Sequence, residues 1–414
     1  MTSRFTLLLL LIVFVLSLAT RNPLLFLIVI IVAFIVFTSW LWGRYCLAGV
    51  SYVRRFETLR LFLGEEIEFW IELTNAKPLP LPWLKAEDEF PQDLLILHTD
   101  TRMSTRPQRR LLTNLYNLRW YEKVRRRYRL KVERRGVYRI GPAQIASGDL
   151  FGFRQRRLLI PELQTVLAYP KIVPVKQLDL SVARPLGDYG SERRILDDPL
   201  QVAGARDYQP GDSVRYVHWK ATAHRSALQS KMFDPSAAPH WMICLNVQTL
   251  EHVYEGVVTD FLETAIVTTA SLAVAGLETH RSVGLAANGA IFESGEWLHL
   301  PASCHTLQVT RLLDALAELG SMPLLSFDDL LRLEQPRLPY GASIFAITSL
   351  INDAILDGLL SLRRKGHPVG LILVGRQLDR PMPPGVPLCV VRENWTELSA
   401  LELAWSAQEQ RSVG

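Results

Sequence analysis

Two apolar runs open the chain. Phe5 to Thr20 and Leu24 to Trp42 carry no charged residue. The second approaches the roughly 20 apolar residues that a spanning helix needs, and the first is short unless its polar flanks carry it to the interfaces. Thr20-Arg21-Asn22-Pro23 reads as a tight turn between them, so residues 5–42 are expected to form a transmembrane helical hairpin. A second reading makes the first run a cleavable signal peptide, with Arg4 as its basic region and Ser17-Leu18-Ala19 as a small-residue cleavage site. Either way the second helix returns the chain to the cytoplasm. Arg44, Arg54, Arg55 and Arg60 follow it, against a lone Arg21 in the turn, which the positive-inside rule assigns to the cytoplasmic side. The expectation is therefore a multi-pass cell-membrane protein with two spans and a cytoplasmic body, with Trp40, Trp42 and Tyr45 anchoring the interface.

The periodicity then shortens. Ile67 to Leu73 and Tyr128 to Val132 alternate with period two, and Arg135-Gly136 and Ile140-Gly141-Pro142 supply turns, so residues 52–174 are expected to form an all-β, sandwich-like antiparallel domain. Residues 175–239 are polar and irregular and read as a linker. From residue 240 to 405, helical and strand patterns alternate. Strands are expected at His240–Val247, Ser282–Ala287, Ser343–Thr348, Val369–Val374 and Leu388–Val391. Helices are expected at Thr259–Leu277, Thr306–Leu319 and Asp353–Lys365, with a hairpin over Ala290–Leu300. Such alternation predicts an α/β, doubly wound, mostly parallel sheet, whose ligands sit beyond the carboxyl ends of its strands.

At the first of those ends stand Asn246, Gln248 and Leu250. The layout is similar to that of von Willebrand factor A domains, which place carboxylate and hydroxyl ligands for a divalent ion there. Magnesium favours carboxylate oxygen, and two amides with an aliphatic side chain offer none, so the metal motif is degenerate and no metal or cofactor is expected. The chain also lacks a G-x-x-x-x-G-K-[ST] phosphate loop and a G-x-S-x-G elbow, which argues against an NTPase or an ordinary serine hydrolase. Cys46, Cys244, Cys304 and Cys389 are scattered without disulfide or metal spacing. The net charge is only +5, but the basic excess gathers between Arg102 and Arg135, opposed there by Glu122 and Glu133 alone. That run reads equally as a solvated face and as a surface for anionic lipid.

The linker carries the densest chemistry. Pro210-Gly211 presets a turn. Asp212 follows it with Arg215 placed to pair, and Arg206 and Asp207 precede it as a second pair. Tyr208 and Trp219 offer rings on which guanidinium stacks. Val217 and Trp219 are expected to bury one face, leaving His218 and Lys220 on the other. Three readings stand. Catalysis would use His218, Asp207 and Asp212 but finds no evident nucleophile. Nucleic-acid binding would use the Arg and aromatic side chains, yet the carboxylates repel phosphate. A structural clasp would fix the linker and present Arg and Trp, residues favoured in binding hot spots, to another protein.

The combination Arg206-x-Tyr208-x-Pro210-Gly211-Asp212-x-x-Arg215-x-x-x-Trp219-Lys220-Ala221, with Arg225 and Leu228 beyond, closely resembles the signature of the domain of unknown function 58 family (DUF58). Phe62-x-Gly64-Glu65, Arg134-Arg135-Gly136-Val137-Tyr138-x-x-Gly141-Pro142, Gly148-Asp149-x-Phe151-Gly152 and Tyr169-Pro170-Lys171 extend the resemblance over most of residues 5 to 395. It implies a membrane protein with a von Willebrand factor A-like cytoplasmic domain, associated with MoxR-type AAA+ ATPases and sometimes with transglutaminase-like proteins. Thr222-Ala223-His224-Arg225 departs from the family's usual Ser-Ala-Arg. The expected role is a non-enzymatic, membrane-anchored scaffold or adaptor that works with such an ATPase and touches membrane lipid but no nucleic acid. The alternatives are a hydrolase or transferase using the His218/Asp212 region, and an anionic-lipid-binding envelope protein.

Overall fold

The computed structural model describes residues 12–16, 19, 23–176, 202–208, 217–225, 227–233, 240–339, 341–376 and 382–405. The chain divides into two compact units, residues 1–169 and 170–414. Most of the first apolar run lies outside the described residues. Its described part is helical, and the Phe14 ring lies 6.2 Å from Phe26. Helix α1 (Pro23–Tyr45) starts on a proline, whose missing N–H costs nothing at a helix start, and leaves most of its apolar side chains uncovered. Among the described residues two helices are long and apolar enough to cross a membrane, α1 and Thr259–Glu278, but the second is two-thirds buried.

Twelve strands follow α1 in the first unit: β1 (Val50–Phe56), β2 (Arg60–Phe62), β3 (Glu66–Asn75), β4 (Leu81–Pro91), β5 (Leu94–Leu97), β6 (Arg102–Met103), β7 (Arg109–Leu118), β8 (Lys123–Val132), β9 (Gly136–Ile140), β10 (Ala143–Gly148), β11 (Gln155–Ile160) and β12 (Gln164–Tyr169). They form an antiparallel sheet in the order β1-β3-β8-β5, a second in the order β11-β10-β4-β7-β6, and a small third sheet β2-β12-β9. The period-two pattern dictates what faces inward. Ile67, Phe69, Ile71 and Leu73 of β3 are buried, and the Phe69 ring lies 5.2 Å from Phe56, 5.5 Å from Phe90 and 5.2 Å from Tyr128.

On the outer face, Glu68 and Glu72 of β3 stand opposite Arg129 and Arg125 of β8. Glu72 accepts from Lys123 at 2.8 Å and from Arg125. The Lys123 hydrogen bond, with Arg125 behind it, holds the Glu72 carboxyl below the usual range. Part of the basic excess between Arg102 and Arg135 is thus spent on cross-strand pairing, the sheet counterpart of helix ion pairs.

The second unit contains β13 (Val175–Lys176), β14 (Val202–Asp207), α2 (Trp219–Arg225), β15 (Gln229–Phe233), β16 (His240–Leu245), α3 (Thr259–Glu278), β17 (Ser282–Ile291), β18 (Trp297–Ser303), α4 (Gln308–Glu318), β19 (Leu319–Pro323), α5 (Phe327–Glu334), β20 (Ser343–Thr348), α6 (Asp353–Arg364), β21 (Val369–Val374), β22 (Leu388–Val391) and β23 (Leu401–Glu402). Its main sheet runs β18-β17-β16-β20-β21-β22, with β19 on β17. The pairs from β17 to β22 are parallel and β18 closes the edge antiparallel. Met242, Cys244, Ile344 and Ala346 pack with Phe327, Leu330 and Leu331 of α5 and Ile355 and Leu359 of α6. Helix α3 meets Trp241 so closely that a Cβ on Gly276 would lie 2.7 Å from its ring.

Among the described residues strand outweighs helix. The molecule is therefore a sheet-rich body with apolar helices. That balance does not carry the doubly wound von Willebrand factor A-like assignment.

Candidate functional site

The polar linker motif folds around a hairpin. β14 and β15 pair antiparallel, with Asp207 opposite Gln229 and Arg206 opposite Ser230, and Val217 bridges to Ser230. The Gln229 side chain is buried and its Nε2 donates to Asp207 Oδ1 at 2.5 Å. Its backbone N–H donates to Thr222 Oγ1 at 3.0 Å, and its carbonyl accepts from the His218 N–H at 2.8 Å. His218 Nδ1 in turn accepts the Ala221 N–H at 3.1 Å and ties down the first turn of α2. Tyr208 N–H donates to Leu228 O at 2.9 Å. One glutamine thus fastens both strands and the helix into one frame, its side chain through Asp207 and its backbone through Thr222 and His218.

Trp219 departs from the sequence expectation. Val217 is buried as expected, but Trp219 is 68% exposed. The reason is a change of period: the extended chain ends at Val217 and α2 begins at Trp219, so the two side chains no longer share a face. Lys220, His224 and Arg225 are also exposed, and Leu228 stands out beside the hairpin. Pro210, Gly211, Asp212, Arg215 and the Arg206 side chain lie outside the described residues. With its Nδ1 occupied by backbone, His218 is left only Nε2 for any proton transfer.

At the carboxyl ends of the parallel strands a neutral amide network fills the space. Asn246 Nδ2 donates to Thr348 Oγ1 at 3.0 Å, while its Oδ1 accepts from Gln248 N at 3.0 Å and Asn288 Nδ2 at 2.9 Å. Asn288 Oδ1 accepts the Val247 N–H at 2.8 Å, and Gln248 Nε2 donates to the carbonyls of Leu250 and Glu251 at 3.0 Å each. The Asn246, Asn288 and Gln248 side chains are committed to holding the loop, and Leu250 contributes only its carbonyl.

The opposite, amino end of the sheet holds a cavity of about 260 Å³ lined by His240, Trp241, His299, Arg337 and Pro339 among others. Behind it lies the buried Glu334, whose Oε1 sits 2.8 Å from His299 Nδ1 and 3.3 Å from Arg337 Nη1. The Arg337 guanidinium lies 5.2 Å from the Trp297 ring centre. Burial holds the His240 imidazole below its usual pKa. Cys244 is no nucleophile, since burial, with Glu334 adding to it, pushes its thiol far up. Sequence reading missed this cluster. β18, α5 and the turn after α5 bring His299, Glu334 and Arg337 together, and no local spacing announces it.

Comparison with known proteins agrees on the family signature. The family described as Protein of unknown function DUF58 matches residues 204–337, which run from the hairpin to the cavity. The uncharacterized protein YeaD of Bacillus subtilis (strain 168) is 23% identical over 246 residues, covering 59% of this chain. The match takes in 57% of that relative, a little over half its length. Among solved structures, a CARDB domain from Pyrococcus furiosus covers 29% of this chain and 86% of its own at 10% identity and a TM-score of 0.20. A cohesin module from Clostridium perfringens covers 29% and 96% at 9% identity and 0.21. Likeness at that level carries no argument.

Proposed function

We propose that this chain is a non-enzymatic, membrane-anchored scaffold of the DUF58 family, held by its N-terminal apolar helices with its body in the cytoplasm, and that α2 with its hairpin docks a MoxR-type AAA+ ATPase. The parallel sheet is read as the von Willebrand factor A-like part of such a scaffold. The observation that carries the proposal is Trp219, a large apolar side chain standing exposed on a frame fixed by Gln229. Ordering such a surface in advance lowers the entropic cost of binding, and exposed Trp flanked by Lys220 and Arg225 has the composition of a hot spot. The preference for a scaffold over an enzyme rests on two features. His218 has one ring nitrogen bound to backbone, and the strand ends hold amides already bonded to each other.

The test is capture of the purified ATPase by the full chain in detergent. Trp219→Ala removes a side chain that is largely exposed, so the fold should survive. A hot-spot loss of at least about 2 kcal/mol should weaken binding about 30-fold. Undiminished capture by a folded Trp219→Ala variant would refute the docking face. Turnover by the purified protein that vanishes in His218→Ala would refute the non-enzymatic reading.

A further inference from the structure

The Gly148-Asp149-x-Phe151-Gly152 stretch serves no part of the role above, and its construction is unusual. Asp149 is buried, yet the residues that follow point outward: Leu150 is 67%, Phe151 50% and Phe153 72% exposed. The loop is held in this form. Asp149 Oδ1 accepts the Arg154 N–H at 2.8 Å, its Oδ2 accepts the Phe153 N–H at 3.3 Å, and its own N–H donates to Arg154 O at 3.1 Å. Trp83 Nε1 donates to Asp149 O at 3.2 Å, and Gly152 takes φ +76. A buried carboxylate thus caps a tight loop whose apolar side chains have nowhere inside to go. Burying each would be worth roughly 1.5–3 kcal/mol, so their common exposure points to a surface outside the protein.

The loop's position says what that surface is. Its flanks touch the end of α1: a Cβ on Gly43 would lie 2.6 Å from Arg154 Cδ, and Cys46 Sγ lies 3.7 Å from Ser147 O. Trp42 Nε1 donates to Pro80 O at 2.9 Å, which fixes the helix exit to the start of β4. Beside the same exit stand exposed Trp120 and Tyr121. Their turn is held there because Tyr121 N–H donates to Lys77 O at 3.2 Å and Lys77 Nζ to Cys46 O at 2.8 Å. Arg44 closes α1, and exposed Arg156 and Arg157 follow the loop. Exposed aromatic and basic side chains around the mouth of an apolar helix are the composition of a membrane–water interface.

We propose that the Asp149–Arg154 loop, with Trp120 and Tyr121, dips into the headgroup layer of the bilayer that α1 spans, so that the first unit lies against the lipid surface and does not swing on a tether. The proposal rests on the reading of α1 as a span. Its occupant is lipid because the contacts at Gly43, Cys46 and Pro80 bring the loop to the level at which the span must leave the hydrocarbon.

The experiment uses the full chain with its exposed thiol removed by Cys304→Ser. Single Phe153→Cys, Phe34→Cys and Met103→Cys variants carry a polarity-sensitive dye, in nanodiscs of mixed phosphatidylcholine and phosphatidylglycerol with or without brominated lipid. Phe34 lies in α1, and Met103 lies on β6, beside the Pro91 end of β4 and away from the exit. A side chain 5–10 Å into the boundary lies within reach of the quencher, so the Phe153 dye should lose about half its emission, as should Phe34, while Met103 keeps its own. If Phe34 is quenched but Phe153 is not, and iodide in the water quenches Phe153 instead, the anchor stands and the loop proposal falls. If Phe34 is not quenched, the anchor reading fails and takes this proposal with it.

Discussion

Replacing Arg54 by Met tests how the first unit is held together. Arg54 is 5% and Asp88 1% exposed. Arg54 Nη1 donates to Asp88 Oδ1 at 2.9 Å, Tyr52 Oη donates to Asp88 Oδ2 at 2.6 Å, and Arg54 Nη2 donates to Glu162 O. The pair joins β1 of one sheet to β4 of the other, and the Glu162 contact reaches the segment leading into the third. Met matches much of the stem but removes the charge and leaves a buried carboxylate with only the Tyr52 phenol and the Glu89 backbone N–H as partners. Removing one partner of a buried pair costs about 3–5 kcal/mol, or roughly two to four powers of ten in the opening equilibrium.

The pH dependence separates charge from packing. Burial pushes the Asp88 carboxyl up to about 6 from 3.8, with Arg54 and then the Tyr52 hydroxyl pulling against it. Between about pH 4 and about pH 6 the folded state therefore keeps a proton that the unfolded chain has released. Stability from this group is greatest below that window and falls across it by about 3 kcal/mol as pH rises. Without Arg54 the carboxyl rises further. The variant should be weakest near pH 8 and recover on acidification, as Asp88 becomes neutral and only lost hydrogen bonds of about 1 kcal/mol each remain. Amide exchange of β1 and β4 in the full chain, corrected for intrinsic rates, reads the opening free energy. A deficit equal at pH 5 and pH 8 would show that Arg54 acts through packing, and the electrostatic account would be wrong.

Gly276→Ala should destabilise the second unit by about 1–3 kcal/mol in a thermal melt, because the added carbon meets the Trp241 ring and Val283 at 2.7–2.8 Å and Trp241 is fully buried. Asn288→Ala leaves the Val247 N–H without its partner while the Asn246 amide oxygen keeps the Gln248 N–H, so a loss of about 1–3 kcal/mol is expected in the same melt. Of the four cysteines, Cys304 alone is exposed, so a thiol reagent should modify one group in the native chain and the rest only after denaturation. Fast native reaction at Cys46, Cys244 or Cys389 would contradict their burial.

The parallel strands of the second unit's main sheet were legible because each is a largely apolar run bounded by polar turns. Ser343–Thr348, Val369–Val374 and Leu388–Val391 have the bounds that pattern predicts. Helix α5 was missed: at eight residues it is too short for periodicity to declare, and its start depends on Ser326 accepting the Asp329 N–H. β19 was missed because Gly320, Ser321 and Met322 have no strand texture, and only its pairing with β17 makes it one.

Chemistry was less legible than secondary structure, for a physical reason. The linker motif could be found because its residues are neighbours in sequence, but where its side chains point could not. Whether Trp219 lies in or out depends on whether the chain at His218 is extended or helical. Gln229 fixes that choice from beyond the helix, its carbonyl accepting the His218 N–H and its own N–H donating to Thr222 within α2. The Asp149 loop follows the same logic in reverse. Its apolar composition alone would place Leu150, Phe151 and Phe153 in a core, and it is the Asp149 carboxylate, bonded to the Phe153 and Arg154 N–H groups, that turns them outward. A hydrophobic pattern states which residues seek cover. The polar groups that fix the backbone decide whether the cover is the protein's own interior or something outside it.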